Sequence, residues 1–591
     1  MIDDRHDRRL ALRAEGVLAE FNRADVLAAA DVHVATRLGA MLGETDQHVM
    51  LAAALAVRAV RQGSVCVDLA TVSEVPLEED VELTWPEPAD WVARVGASPL
   101  VGESVLRLED SRLYLDRYWR EEEQVCSALL ARLDRPAPDV DAAALAAGLD
   151  RVFGDPGYDE QRDAADASAR RWTTVLTGGP GTGKTTTVAR LLALVAEQHE
   201  IGTGRMPRIA MCAPTAKAAA RLQEAVAEAT VELPDVDRDR LGHIPAVTLH
   251  RLLGWRPGSS VRFRHDRDNR LPHDVVVVDE TSMVSLTHMA RLLDALRSSA
   301  RLVLVGDADQ LASVEAGAVL ADVVSGLESH PASPVSRLSE THRFGGHIGE
   351  LATALRDGDA DAVMALLRAG HDDVELIDPT DLDAMAAFRT DVRDTALRVR
   401  LPAQDGDKAA AVAALDDHRL LCAHRQGRHG VNGWNREVER LVADATGVTH
   451  YEEWYAGRPI LVTANDYGLG VFNGDVGVTV RRPDGRLVVA LSDGTSDPRE
   501  LATTRLSDVQ TVYAMTVHKS QGSQAKVISV VMPPDDSPML TRELFYTAVT
   551  RAQHKVRIVG SEVAIRDAIG RQVQRASGLA ERLGASGPGD G

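Results

Sequence analysis

Three groups of residues in this chain have types and spacings suited to chemistry on a phosphate. The first is Gly178-Gly179-Pro180-Gly181-Thr182-Gly183-Lys184-Thr185. Gly178, four residues, then Gly183-Lys184-Thr185 satisfies the phosphate-loop pattern. Glycines let successive backbone N–H groups curl around a phosphate, and a helix starting there adds its positive end. Lys184 is expected to reach the β- and γ-phosphates, and the Thr185 hydroxyl to hold Mg²⁺. The second group is Asp279-Glu280, which ends the run Val275-Val276-Val277-Val278. Asp279 is suited to hold Mg²⁺ through water, and Glu280 to polarise an attacking water. Two carboxylates after a valine run mean little alone. Downstream of a phosphate loop, they predict that a nucleoside triphosphate is hydrolysed as well as bound. The third group is Gln310, in Gly306-Asp307-Ala308-Asp309-Gln310-Leu311, with two arginines. Gln310 is placed to sense the γ-phosphate. Arg343, in Ser339-Glu340-Thr341-His342-Arg343-Phe344, is a candidate cation for transition-state charge. Arg551, in Ala548-Val549-Thr550-Arg551-Ala552, is a candidate arginine finger supplied in cis.

Other segments carry weaker signals. Gln161 lies shortly before the phosphate loop, and its amide can pair with both edges of adenine. Pro214-Thr215-Ala216-Lys217 and Thr248-Leu249-His250 each follow an apolar run, so each falls at the carboxyl edge of a parallel sheet, where ligands bind. Arg251 to Arg270 holds six Arg against two Asp. That balance suits a phosphate backbone, and equally a solvated basic loop.

Elements must position these groups. Trp172 to Leu176 predicts a buried strand entering the loop, and Thr186 to Val195 a helix leaving it. Further strands are expected at 208–213, 275–278 and 301–305. Fully apolar runs of this kind are strands of a parallel sheet buried on both faces. Residues 346 to about 415 read as helical. A second α/β unit begins at Leu420, continues through Pro459 to Asp466, and resumes at Tyr513 to end near Ala552. Between its halves, from Val478 to about Leu506, short alternating strands with turns at Pro483-Asp484-Gly485 and Asp493-Gly494 suggest a small β-barrel. Before the first α/β unit, Gln47 to Arg61 reads as a helix. Arg112 to Asp116 reads as a strand feeding a helix that runs to about Leu133. The Tyr/Trp/Arg cluster there suits a protein-contact hot spot, or a small core with snorkelling arginines. Residues 135–147 read as a linker, and the Gly/Ser/Pro-rich end, 584–591, as disordered.

The 591 residues suggest three or four domains. A net charge of −22 argues against a protein that coats nucleic acid non-specifically, though a local basic channel needs only a few placed cations. Cys66, Cys126, Cys212 and Cys422 are far apart and form no Cys-x-x-Cys, which disfavours a disulfide framework or zinc knuckle. The charged start has no signal-peptide core. The longest nearly apolar run, Val49 to Val60, contains Arg58 and is too short to span a bilayer. A soluble, cytoplasmic protein is expected.

In this order, the segments from Gln161 to Arg551 resemble the motif set of superfamily 1 DNA helicases. Thr516-Val517-His518-Lys519-Ser520-Gln521-Gly522 and Ala548 to Ala552 are the most telling after the phosphate loop. Within that superfamily the chain is similar to the RecD family, α subunits of exodeoxyribonuclease V (RecBCD). The loop sequence, the Arg112–Trp119 and Ser339–Phe344 segments and the placing of the β-rich insertion carry that likeness. The resemblance implies an α/β fold with two RecA-like P-loop domains, 150–345 and 346–577. It implies a helical N-terminal partner-binding domain, 1–135, an SH3-like β insertion near 478–508, and a disordered tail, 578–591. It implies ATP with Mg²⁺, 5′→3′ movement on single-stranded DNA, and assembly with RecB and RecC, the N-terminal domain on RecC. The role would be unwinding of DNA ends for double-strand-break repair by homologous recombination. Pro214, Thr215, Thr248, His250, Asn465, His518 and Ser520 are the candidate DNA contacts. No paired-carboxylate nuclease motif is present, so DNA cutting is expected from RecB. Three rivals are a stand-alone RecD-like helicase, a non-motor subunit switched by ATP, and a conjugative relaxase-helicase. The first is disfavoured by the roughly 150 residues ahead of the first motif. The second is disfavoured by the hydrolytic set. The third is disfavoured by the lack of an upstream histidine cluster with a tyrosine nucleophile.

Overall fold

The computed structural model describes the chain except residues 1–6, 8, 75–81, 257–261, 314, 341–345, 449–451, 467, 493–496, 535–536, 538–540, 574 and 586–591. Arg343 and the Asp493-Gly494 turn therefore lie outside the described residues.

The N-terminal unit is built on the helix Gln47–Arg61. Asp46 starts this helix by accepting the N–H groups of His48 (2.8 Å) and Val49 (3.4 Å), which satisfies two otherwise orphaned donors. Its Ala/Leu face is buried among Phe21, Leu100 and Trp91. A small antiparallel sheet follows, in the order Cys66–Asp68, Arg112–Leu115, Leu106–Glu109. From it the helix Asp116–Leu133 runs onto Leu286–Ala295 of the next unit. Arg132, near its end, donates to Thr173 Oγ1 (2.7 Å) and to the carbonyls of Trp172 (2.9 Å) and Ala300 (2.6 Å). Tyr114, Val125 and Leu129 belong to the same core as the first large sheet. Of the Tyr/Trp/Arg cluster, Tyr114 is fully buried and Trp119 is half-buried under Arg107 at 4.8 Å, whereas Arg117 and Arg120 are exposed.

The first lobe is a six-stranded sheet in the order Ala246–Thr248, Ile209–Ala213, Val275–Val278, Arg301–Gly306, Thr173–Gly178, Val335–Leu338. Every pair is parallel, so all six carboxyl ends open on one edge. The second lobe is a five-stranded parallel sheet in the order Val374–Ile377, Ala552–Val559, Ala525–Val531, His418–Cys422, Ala514–Thr516. The family expectation of two α/β lobes holds.

Four sequence expectations change. The stretch read as wholly helical contains the edge strand Val374–Ile377. Residues Ala142–Val152 of the expected linker region form a helix, with Leu145 fully buried against the helix after the phosphate loop. The small sheet is wider than 478–508: its five antiparallel strands run from Pro459–Val462 to Val509–Thr511, and Pro459–Val462 pairs on both sides within it. A four-residue apolar run fits either sheet, which is why the sequence left it in the large one. Finally, Leu579–Ala585 is a helix, not disordered. Leu579 and Leu583, one turn apart, are both fully buried against Val319–Leu327 and Asp116–Leu133. Arg582 lies among Glu109, Glu122 and Glu123. Among the described residues, no helix is long and apolar enough to cross a membrane.

Candidate active site

The phosphate loop joins the buried strand Thr173–Gly178 to the helix Lys184–Thr203. Gly181 and Gly183 hold φ of +83° and +79°, a region open to glycine and strained for other residues. Lys184 Nζ donates to the carbonyls of Gly178 (2.6 Å) and Gly179 (2.7 Å), folded back on the loop. Pro180, Gly181, Gly183, Lys184 and Thr185 line a cavity of about 460 Å³.

Asp279 and Glu280 line the same cavity. They leave the strand Val275–Val278 at the carboxyl edge. Glu280 sits at φ +49°, a conformation that costs a non-glycine residue about 1–3 kcal/mol and clusters at functional sites. Burial first, and then the neighbouring Glu280 carboxylate, raise the Asp279 carboxyl above the usual range. Lys184 and Arg221 oppose that rise. Hard oxygen donors crowded in this way match Mg²⁺, so Thr185 and Asp279 fit such an ion.

Gln161 is 1% exposed and donates to the Thr182 carbonyl at 3.1 Å, bracing the loop from behind, and is not among the residues that line the cavity. Its neighbour Glu160 accepts the N–H groups of Ser339 (2.8 Å) and Glu340 (3.0 Å). The segment leading to Arg343 is therefore tied to the Gln161 helix.

The cleft between the lobes is bridged by a circuit of hydrogen bonds. Gln310, from the first lobe, donates through Nε2 to Asp307 Oδ2 (3.0 Å) and accepts at Oε1 from Arg551 Nη2 of the second lobe (2.8 Å). The Tyr546 hydroxyl, also of the second lobe, donates to the same Asp307 Oδ2 (3.0 Å). Thr547 Oγ1 accepts the Leu311 N–H (2.9 Å), and Gln521 Nε2 donates to the Leu311 carbonyl (2.9 Å). Arg221 of the first lobe bonds Gln524 of the second. Both line the nucleotide-sized cavity together with Gln310 and Arg551. Arg551 is thus already across the cleft.

Of the candidate DNA contacts, Thr215 and Thr248 cap helices, their hydroxyls accepting the N–H groups of Ala218 and Arg251, each at 3.2 Å. Both follow adjacent strands of the first sheet, since Ala213 and Thr248 pair. His250 Nε2 lies 3.1 Å from His288 Nε2, and burial holds its pKa below the ordinary histidine value. On the second lobe, His518 and Ser520 share the turn Val517–Ser520, and Ser520 donates to the Val517 carbonyl at 2.7 Å. Burial lowers the His518 pKa as well. Gly522 brings this loop to Thr215: a Cβ there would lie 3.8 Å from Thr215 Oγ1. Asn465 lies apart on the small sheet's side, accepting the Asn473 N–H at 2.8 Å. Pro214 lies between Ala213 and Thr215 at the sheet edge.

Sequence reasoning passed over Asp307, Tyr546, Gln521, Arg221 and Gln524, the residues that bridge the cleft. Asp307 and Tyr546 lie within five residues of Gln310 and Arg551, but nothing in their types announces a partner in the other lobe. It also passed over Lys217, which lines a second cavity of about 970 Å³ between the lobes and the small sheet. Burial pushes its pKa down to about 7.

Three family models match the chain: "RecBCD enzyme subunit RecD, N-terminal domain" over 23–114, "AAA domain" over 161–316, and "UvrD-like helicase C-terminal domain" over 511–559. The RecBCD enzyme subunit RecD of Mycobacterium tuberculosis is 57% identical over 587 residues, covering 99% of each chain. That of Mycolicibacterium smegmatis is 56% identical, covering 95% of this chain and 99% of its own. The ATP-dependent RecD2 DNA helicase of Deinococcus radiodurans is 32% identical, covering 83% of this chain and 61% of its own. A crystal structure of the Bacteroides Pif1 helicase with ADP-AlF3 and single-stranded DNA aligns over 70% of this chain and 94% of its own, at 15% identity and a TM-score of 0.38. That structural likeness is too slight to argue from.

Proposed function

Because this chain belongs to the RecD family of RecBCD enzyme subunits, which act as ATP-dependent DNA helicases, we propose that it couples ATP hydrolysis in the cleft to 5′→3′ movement along single-stranded DNA. The observation that carries the reading is the Gln310–Arg551 hydrogen bond. It supports the reading because Gln310 and Arg551, one from each lobe, line one cavity with the phosphate loop and the carboxylate pair. Lys184 leaves the loop carbonyls for the β- and γ-phosphates. Glu280 takes a proton from the attacking water. Arg551 turns from Gln310 to the γ-phosphate, and Arg343 supplies a second cation. Gly178 to Thr185 cradle the phosphates, and Gln161 braces the cradle beside the adenine end. Mg²⁺ held by Thr185 and Asp279 would neutralise phosphate charge. Losing the γ-phosphate frees Arg551 and loosens the cleft, and alternating grip gives stepping.

In this reading the strand crosses the sheet edges at Pro214, Thr215, Thr248 and His250. It meets His518 and Ser520 on the second lobe and Asn465 beside the small sheet. The working domain limits are 1–135, 150–345 and 346–577. RecB and RecC are the partners, the N-terminal domain docks on RecC, and the assembly unwinds broken DNA ends for recombinational repair in the cytoplasm. Coverage of 99% of the mycobacterial RecBCD subunit, against 61% of the RecD2 helicase, supports this over independent action.

The test is co-expression with RecB and RecC, followed by ATPase and strand-displacement assays on 5′-tailed duplexes. Wild type should co-purify and displace the strand, and Lys184→Gln should co-purify without that displacement. Undiminished 5′-tail displacement by Lys184→Gln would overturn the assignment of the loop. Purification of the wild-type chain free of both partners would favour the stand-alone reading.

A further inference from the structure

Asp307 is 2% exposed, and its carboxylate is crowded with donors. Oδ1 accepts the Asp309 N–H at 3.1 Å. Oδ2 accepts both Gln310 Nε2 and the Tyr546 hydroxyl, each at 3.0 Å. These contacts fix which way the Gln310 amide faces. A guanidinium only donates, so the carbonyl oxygen of Gln310 must face Arg551 and its NH₂ must face Asp307. Tyr546 itself is 3% exposed, on the helix Arg542–Val549. Its hydroxyl lies beside the phosphate loop, where a Cβ built at Gly179 would come within 3.3 Å of it. One second-lobe oxygen thus bonds Asp307 next to the loop.

We propose that Tyr546 is a positioning residue for hydrolysis, holding Asp307 so that Gln310 presents its carbonyl oxygen to the cleft as an acceptor for the attacking water. This rests on the reading of the cleft as the ATP site. When Arg551 turns to phosphate, Gln310 Oε1 is freed to accept a hydrogen from water, as a water-orienting glutamine does in other P-loop enzymes. Asp307 keeps the amide from flipping, and Tyr546 keeps Asp307 from following Arg551. Closure of the second lobe thereby sets the water-orienting group of the first.

The experiment uses the full chain in its co-purified assembly. Tyr546→Phe removes one oxygen and keeps the ring. Its DNA-stimulated kcat should fall about tenfold with KM for ATP within about twofold of wild type, the signature of a group felt in the transition state. The melting temperature should stay put. In a Gln310→Ala background the same substitution should cost nothing more, because Tyr546 acts through Gln310. Asp307→Asn, which leaves one acceptor oxygen where there were two, should reproduce the kcat loss. An unchanged kcat in Tyr546→Phe, a loss carried by KM, or a further tenfold loss on top of Gln310→Ala would each overturn the proposal. If Tyr546→Phe melts lower, Asp307→Asn decides alone, an unchanged kcat overturning the idea. A wild-type assembly with no DNA-stimulated ATPase would instead refute the ATP-site reading beneath it.

Discussion

Asp322→Asn should make this protein more stable at pH 8 and no more stable, or less stable, at pH 5. Asp322 lies on the helix Val319–Leu327, where the C-terminal helix packs. Its Oδ2 is shut off from solvent and meets no donor among the described residues. Burial pushes its pKa up to about 7; the Ser577 hydroxyl and Arg575 pull it down, and Glu122 pushes it further up. The folded state thus binds this proton more tightly than the unfolded chain does, whose value is near 3.8. Stability from the protonated acid is complete below pH 3.8 and drains away as pH rises through about 7. A change from 3.8 to about 7 is worth up to about 4 kcal/mol, at 1.36 kcal/mol per tenfold in proton affinity. An amide there is still a poorly bonded buried polar group, which returns about 1–3 kcal/mol of cost. The net gain at pH 8 should be about 1–3 kcal/mol. At about 2–4 °C per kcal/mol for a lobe of this size, the melting transition should rise by roughly 2–12 °C. At pH 5 the folded carboxyl is mostly protonated and the wild type has regained about 3 kcal/mol, so the gain there should vanish or turn into a loss of up to about 2 kcal/mol. Glu122, whose pKa burial also raises against the pull of Arg582, titrates in both proteins and largely cancels. Calorimetry at the two pH values reads the difference. Equal gains at both, or a loss at pH 8, would refute the claim that this carboxylate is strained by ionisation.

Glu280→Gln should bind a fluorescent ATP analogue like wild type while ATP turnover falls about 10²–10⁴-fold, the usual share of a general base; turnover within threefold would remove Glu280 from that role. Arg551→Lys keeps the charge but loses the planar fork. It should cost about 10³-fold in DNA-stimulated kcat, in the range of arginine fingers, and a near-normal rate would show that any cation suffices. Leu583→Ala empties a fully buried site between three helices and should cost about 2–5 kcal/mol. A denaturant midpoint equal to wild type would mean that the C-terminal helix does not hold in solution.

The catalytic side of this molecule was legible because its signals are local. A phosphate loop is written in consecutive residues, and a carboxylate pair is announced by the apolar strand that delivers it. Lys184, Thr185, Asp279 and Glu280 therefore meet in one cavity where their motifs put them. Gln161 shows the opposite case. Its type suits a base edge, but the contact its amide makes to the Thr182 carbonyl is decided only by the packing of its helix against the loop. The C-terminal helix was missed because its glycines and serine flank one turn of Leu-x-x-x-Leu. Composition reads such a segment as disordered. What orders it is a hydrophobic slot supplied by residues 319–327 and 116–133, far away in sequence. An inner strand of the small sheet was misassigned for a related reason. Pro459–Val462 is apolar on both faces, and its partners, not its own pattern, determine the sheet it joins.

These long-range contacts also say which part of the molecule is the fixed frame. Arg132 joins the N-terminal unit to three groups of the first lobe. Glu121 accepts from Thr287 at 2.6 Å and pairs with Arg291 at 3.3 Å across the same seam. The chain end then returns to that seam. Ala576 accepts the Val65 N–H at 2.8 Å, Gly578 donates to Glu122 at 3.1 Å, and Arg582 holds Glu123 at 2.8 Å. Val65, Cys66, Tyr114 and the helix Asp116–Leu133 therefore share one apolar core with the first lobe and the last helix. Besides the chain connections after Leu338 and between Gly570 and Ala576, the described residues join the second lobe to it through the hydrogen bonds of the cleft and the packing beside them. Each of those bonds is worth about 0.5–1.5 kcal/mol net, or somewhat more where a charge takes part. That is small enough to be exchanged for contacts to a phosphate in each cycle. A motor needs one body that keeps its shape and one that moves against it. Here buried leucines hold the first together, and a few replaceable hydrogen bonds hold the second in place.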